Sequence, residues 1–289
     1  MLEPFTTHTT LPQELVDKII DHLQEDADSL RSCALTHSTW VLRCQRHLFA
    51  QYTIHGIAGF LSYPEQLGSR PHLTTHICHL IVKGSARMSV TDSNEANYAR
   101  VCSSLLPGLL PTLPNTRTLT IQNIRLLEGH YNGPAFAAAW IRISHACHVT
   151  KLHLDELTCT EAPFASLIYA FPHLRVLRIT DVNLLRGTLA PHVPPGAPHR
   201  LRLEHLSVRG EWMGRNGFIM QKIFNKSTSP IQSVNKFSFT LTTLNEMPHL
   251  VTFLGGGGGD AKTLNLDIQQ SFVSMASECV VLSPPPTII

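Results

Sequence analysis

Val149-Thr150-Lys151-Leu152-His153-Leu154 is echoed by Leu174-Arg175-Val176-Leu177-Arg178-Ile179 and again by Leu203-Glu204-His205-Leu206-Ser207-Val208. In each copy the last two apolar residues flank a polar one, the alternation of a strand with one buried face. The pattern extends in both directions. Ile77-x-x-Leu80-x-Val82 and Leu119-x-Ile121 precede it, and Val234-x-x-Phe237-x-Phe239 and Ala261-x-x-Leu264-x-Leu266 follow. The central positions 80, 119, 152, 177, 206, 237 and 264 are separated by 39, 33, 25, 29, 30 and 27 residues. Helix-compatible stretches lie between them, clearest at 97–106, 135–143, 163–170 and 217–224. Leu113-Pro114-Asn115, Phe171-Pro172-His173 and Met247-Pro248-His249 close helices ahead of strands, because a residue before proline is driven towards extended backbone. Recurrence of a strand and a helix at such a period predicts an α/β chain of stacked repeats, with parallel strands and helices on the outer face. An ordinary α/β sheet of sequential parallel strands is the alternative. The alternate strand residues Lys151, His153, Asp155, Arg175, Arg178, Glu204, His205 and Ser207 are polar, as either a recognition face or a solvated one would be.

The N-terminal residues follow another rule. Leu11, Leu15, Ile19 and Leu23 recur every fourth position, widened by Val16 and Ile20, with polar residues between them. This is an amphipathic helix. Pro12 suits its first turn, and Thr10 with Gln13 fits a capping box that would start it one residue earlier. Asp26 or Asp28 can cap a second helix through Leu30, Cys33, Ala34 and Leu35, and Thr36 or Ser38 a third through Trp40, Val41, Cys44, Leu48, Phe49 and Tyr52. Three helices in so few residues barely suffice to bury a core, so part of their apolar surface is expected to be covered by something else.

Leu11-Pro12-x-Glu14-Leu15-x-x-x-Ile19-Ile20-x-x-Leu23, with Leu30-x-x-Cys33-Ala34-Leu35-Thr36-x-Ser38-x-Trp40, resembles an F-box of the type found in mushroom-forming fungi. Thr36-His37 departs from the Val-Cys or Val-Ser plus basic residue common there. The resemblance implies docking to the Skp-family adaptor of an SCF-type cullin–RING ubiquitin ligase. The matching contact positions would be Leu11, Pro12, Leu15, Ile19, Leu30, Cys33, Leu35 and Trp40. The repeated strands are similar to leucine-rich repeats, although the spacing is longer. Ile124, Leu157 and Val182 also stand where a turn-bonding Asn or Cys is expected. The resulting division is a helical unit at 8–55, a connecting region at 56–74, a repeat region at 75–275 and an irregular tail at 276–289. The function implied is recruitment of a target protein, through the repeats, to a ligase held by the F-box. The alternative is a repeat scaffold whose N-terminal helices merely cap the solenoid.

Composition narrows the rest. With 43% hydrophobic and 15% charged residues the chain is globular. A formal net charge of +2 gives no electrostatic case for nucleic acid or anionic membrane. Residues 1–10 do not read as a signal peptide, and no run of about 18 apolar residues predicts a membrane span. Seven cysteines without a framework suggest reduced thiols and a cytoplasmic or nuclear protein. Asn225-Lys226-Ser227 would matter as a glycosylation acceptor only in a secreted chain.

The chain shows no enzyme signal and no cofactor motif. Pro191–Pro198 reads as a loop. The run Gly255–Gly259 is followed by Asp260 and a strand, whereas a phosphate loop needs Gly-Lys-Ser/Thr opening a helix. Cys78-His79 and His145-Ala146-Cys147-His148 lack the second ligand pair of a structural zinc site. No Gly-x-Ser-x-Gly elbow is present. The expectation is therefore a protein that binds proteins, with neither metal nor catalytic residues.

Overall fold

The computed structural model describes residues 11–84, 101–126, 133–143, 146–185, 201–209, 231–241 and 262–268. Helices α1 (Gln13–His22), α2 (Ala27–Thr36) and α3 (Ser38–Leu48) close around Val16, Ile20, Leu30 and Cys44, with Leu23, Cys33, Trp40 and Leu48 packed at the margin. Pro12 precedes α1 as its cap residue and no side chain caps that end, so Pro12 is not a first-turn residue. Asp26 caps α2 by accepting from the Ser29 N–H (3.0 Å) and the Ser29 hydroxyl (2.6 Å). The cap of α3 is neither Thr36 nor Ser38. The His37 ring accepts from the Thr39 N–H (3.3 Å), while Thr36 donates back to the Ser32 carbonyl inside α2 (2.9 Å).

Tyr52 does not belong to α3. Gln51–His55 is β1, the first strand of the main sheet. Nor is 56–74 a connector. Gly56, at φ +58°, turns the chain into α4 (Gly56–Gly68), and α5 (Pro71–Thr74) follows. Phe60, Leu67 and Leu73 from these helices are buried in the sheet's core. Glycine carries that turn because its backbone enters the left-handed region freely.

The rest alternates strands with helical cover. After β2 (His79–Lys83) the next described elements are a π-helical turn at Val101–Leu105, α6 (Leu106–Leu109) and a 3₁₀ turn at Leu110–Thr112. Next come β3 (Thr118–Gln122), β4 (Arg125–Leu126), α7 (Gly133–Ile143), β5 (Lys151–Asp155), β6 (Thr158–Thr160) and α8 (Glu161–Tyr169). β7 (Val176–Thr180), β8 (Asn183–Leu185), β9 (Leu201–Arg209), β10 (Ile231–Leu241) and β11 (Thr263–Ile268) complete the described elements. The main sheet runs β1-β2-β3-β5-β7-β9-β10-β11 with every neighbouring pair parallel, and the short strands β4-β6-β8 form a second parallel sheet. The protein is thus mixed α/β, with an open parallel sheet laid down in chain order.

Register explains the sequence pattern. Tyr52, Leu80, Leu119, Leu152, Leu177, Leu206, Phe237 and Leu264 stand opposite one another across the eight strands. A second column two residues on runs from Ile54 through Val82, Ile121, Leu154, Ile179, Val208 and Phe239 to Leu266. Stacked at about 4.8 Å per strand, such columns bury apolar side chains from β2 to β10, while Leu264 and Leu266 on β11 remain exposed. Trp140 of α7 sits fully buried there, edge-on to Phe171 (5.9 Å between ring centres) and beside Phe136 (6.1 Å).

The turns after β3, β5 and β7 repeat a second device. Asn123, Glu156 and Asp181 adopt left-handed backbone (φ 54°, 49° and 48°), and the next residues, Ile124, Leu157 and Val182, are buried. No side chain is needed to satisfy these turns, because backbone bonds continue the ladder. Asn123 N–H donates to the Asp155 carbonyl (3.0 Å), Glu156 N–H to Thr180 (2.9 Å) and Asp181 N–H to Arg209 (3.0 Å). Thr158 and Asn183 N–H groups donate to the Ile124 and Leu157 carbonyls (2.9 and 2.8 Å). The apolar residue at the expected Asn position therefore extends the core while the neighbouring turn meets the hydrogen-bonding demand.

The predicted helix at 217–224, the loop at 191–198, the glycine run, Thr10, His145, Asn225 and the tail at 276–289 lie outside the described residues, as does the start of the 97–106 stretch. Among the described residues no helix is long and apolar enough to cross a membrane.

Candidate functional site

Two apolar stripes run along α1, the second continued by Leu11 just ahead of the helix. One, Val16 and Ile20, points into the helical core. The other, Leu11, Leu15 and Ile19, is 59%, 46% and 51% exposed. Leu35, near the end of α2, is 89% exposed, and Pro12 is exposed as well. Cys33 and Trp40 are half-buried, with the Trp40 ring 5.9 Å from His37. Leu30 is 1% exposed, so of the positions matched to partner contact it is a core residue and offers a partner nothing. Leu15 and Ile19 on α1, with Leu11 just ahead of it, thus form an aligned, uncovered apolar row rather than scattered single residues.

The helices that carry these residues are clamped. Asp21 on α1 accepts from Arg43 Nε (2.7 Å), from a second Arg43 nitrogen and from His47 Nε2 (2.7 Å), both on α3. The bonds from Arg43 above all, and then the one from His47, hold the Asp21 carboxyl well below the usual carboxylate range. The clamp ties α1 to α3. Leu42, 66% exposed, is separate: it lines a cleft with Asp17, Arg43, Arg46, His76 and Arg117, between the helices and the start of the sheet.

No protein family matches the chain, and no curated protein is similar to it in sequence.

The second surface is the polar side of the main sheet. Lys151, His153 and Asp155 of β5, Arg178 of β7, and His205 and Ser207 of β9 share that side, whereas Arg175, just ahead of β7, pairs with Glu204 within β9 (3.2 Å). His79 bonds Thr120 (2.9 Å), His205 bonds Ser238 (2.9 Å), and the His79 and His153 rings meet edge-on at 6.3 Å. Burial pushes the His153 imidazole down to about 4, helped by Arg178, His79 and Lys151. His79 and His205 are lowered as well, chiefly by burial. Among the described residues no group of three or more His, Cys, Asp or Glu is placed to hold a metal ion. Burial pushes the Cys102 thiol up to about 12 and Cys147 up to about 11, so these are poor nucleophiles.

A pH dependence follows. A histidine harder to protonate in the fold than in the unfolded chain gives full stability above its unfolded pKa and loses it as pH falls towards the folded value. For His153 that window runs from 6.5 down to about 4. Between pH 7 and pH 5 an unscreened ring would lose about 2 kcal/mol, and solvent reaching the half-buried imidazole brings the loss to about 1 kcal/mol. Urea unfolding at the two pH values should show the His153→Gln chain losing less stability than wild type by that amount. An equal loss in both would place the titration elsewhere.

Proposed function

We propose that the chain is a substrate-recruiting adaptor of an SCF-type cullin–RING ubiquitin ligase. In this reading α1–α3 are an F-box-like unit that docks a Skp-family adaptor, and the sequential sheet is an irregular leucine-rich-repeat solenoid that receives a target protein. The observation that carries it is the bare row Leu11, Leu15 and Ile19 with Leu35, left uncovered by a unit whose own core is Val16, Ile20, Leu30 and Cys44. A unit that served only to cap the sheet would turn its leucines towards β1. The chain itself does no chemistry; it raises the effective concentration of target at the ligase. The cysteines among the described residues are free and most are buried, which suits a reducing cytoplasmic or nuclear setting.

Copurification tests the proposal. The full chain mixed with a Skp-family adaptor should elute with it as one complex on size exclusion. A folded chain that elutes alone would leave the capping scaffold as the better reading.

A further inference from the structure

We propose that the polar side of the main sheet binds an acidic, extended segment of a partner protein, laid across β5, β7, β9 and β10 at the level of Lys151 and His153. This deepens the reading of that side as the target-receiving surface and rests on it. Register places the charge. The positions aligned with Lys151 and with His153 on the eight strands face this side, and none of them holds Asp or Glu. Lys151, Arg178 and Lys236 occupy three of them, and His79, His153 and His205 three more.

The three cations are exposed and have no ion-pair partner among the described residues. They are also mutually felt, since Arg178 and Lys151 both act on His153, and Lys236 and Arg178 both act on His205. Arg178 also acts on Asp155, but without an ion pair among the described residues, and a folded chain that gathers such cations beside hydrogen-bonding imidazoles favours an anion there. Carboxylates do occur on the sheet, but at the other end of the strands. Asp155, Glu156 and Asp181 cluster at the ends of β5 and β7, and burial with their mutual repulsion raises the Asp155 carboxyl. Lys83 and Arg209 stand level with Asp155 at that end, and Arg178 and Lys83 draw its carboxyl back down, so the level of Lys151 and His153, which holds no carboxylate, is where an anionic segment meets least repulsion.

Extent favours a peptide over a single small anion. Lys151 and Lys236 are separated by three strand-to-strand steps, through β7 and β9. At about 4.8 Å per step that is ~14 Å. An extended chain of roughly five residues spans it.

Fluorescence anisotropy with a labelled peptide of about eight alternating Glu and Ser residues tests this on the full chain. The expected result is saturable binding that weakens as salt rises, because surface charge is screened. Lys151→Glu with Arg178→Glu should weaken it at least tenfold, and the milder pair Lys151→Gln, Arg178→Gln should fall between. Lys18→Glu, on exposed α1, should change nothing, which separates a local site from bulk charge. No binding by wild type, or equal binding by wild type and the Glu pair with matching urea midpoints, overturns the proposal. So does tighter binding of an oligothymidylate of equal charge. Adaptor copurification by the Glu pair should persist, so loss of peptide binding and failure of the ligase reading remain separate results.

Discussion

Leu15→Asp combined with Ile19→Asp is expected to abolish capture of a Skp-family adaptor, a loss of at least ~100-fold from two side chains that each contribute about 1.5–3 kcal/mol when buried. Neither residue supports the fold. Both lie on the bare stripe of α1, while Val16 and Ile20 form the inward one. The thermal midpoint should therefore move by no more than about 2 °C, since surface changes of this kind stay within ~0.5 kcal/mol. Leu30→Ala is the contrasting variant. Leu30 is buried between the helices, and its truncation should cost about 2–5 kcal/mol of the helical unit's stability. Capture would then fail through unfolding, and circular dichroism on heating separates the two cases. Capture by the double Asp variant at wild-type strength would remove the bare stripe from any docking role.

The sheet is legible in the sequence because its period is set by the chain itself. Leu80, Leu119, Leu152, Leu177, Leu206, Phe237 and Leu264, aligned by counting residues, are the residues that register places opposite one another. The eighth member, Tyr52, is hidden. Its strand follows α3 after two residues, and glycines 56 and 59 with Pro64 read as chain breakers. They lie instead in α4, where packing of Phe60 and Leu67 against the sheet outweighs poor helix propensity. Propensity is a local term, and burial against seven further strands is not visible locally. The residues that make the turns stand one position ahead of those a leucine-rich repeat would use. Asn123, Glu156 and Asp181 hold the left-handed backbone, which Asn and Asp tolerate and Glu does not favour. A polar residue directly after each strand is the available signal.

For the docking surface, the sequence shows that α1 has too much apolar surface but not which leucines face out. Spacing by four places Leu15 and Ile19 on one stripe and Val16 and Ile20 on the adjacent one, and both satisfy amphipathicity. The choice is made by α3, whose Arg43 and His47 hold Asp21 and turn Ile20 inward. That contact spans 22 residues and has no signature in either helix.

Gly84→Ala should be among the most damaging single substitutions in the sheet, with an expected cost of about 3 kcal/mol. Gly84 follows β2 and donates its N–H to the Gln122 carbonyl (2.8 Å). A Cβ built there would lie 1.8 Å from the Asn123 carbonyl oxygen and 2.8 Å from the Asn123 carbonyl carbon. Both are backbone atoms, so no rotamer change relieves the overlap. Either the Gln122 bond lengthens or the turn at Asn123 moves. Asn123 in turn donates to Asp155, and the turns beyond it are bonded in series. The strain therefore spreads along the ladder, and the cost should show as a lower urea midpoint with earlier amide exchange at Asn123 and Glu156. Gly108→Ala is the internal control. Gly108 lies in α6 with nothing within 4 Å of where an added methyl would sit, and alanine should be neutral there or stabilising by up to ~1 kcal/mol. Equal midpoints for the two variants would mean that the close approach at Gly84 is not part of the fold.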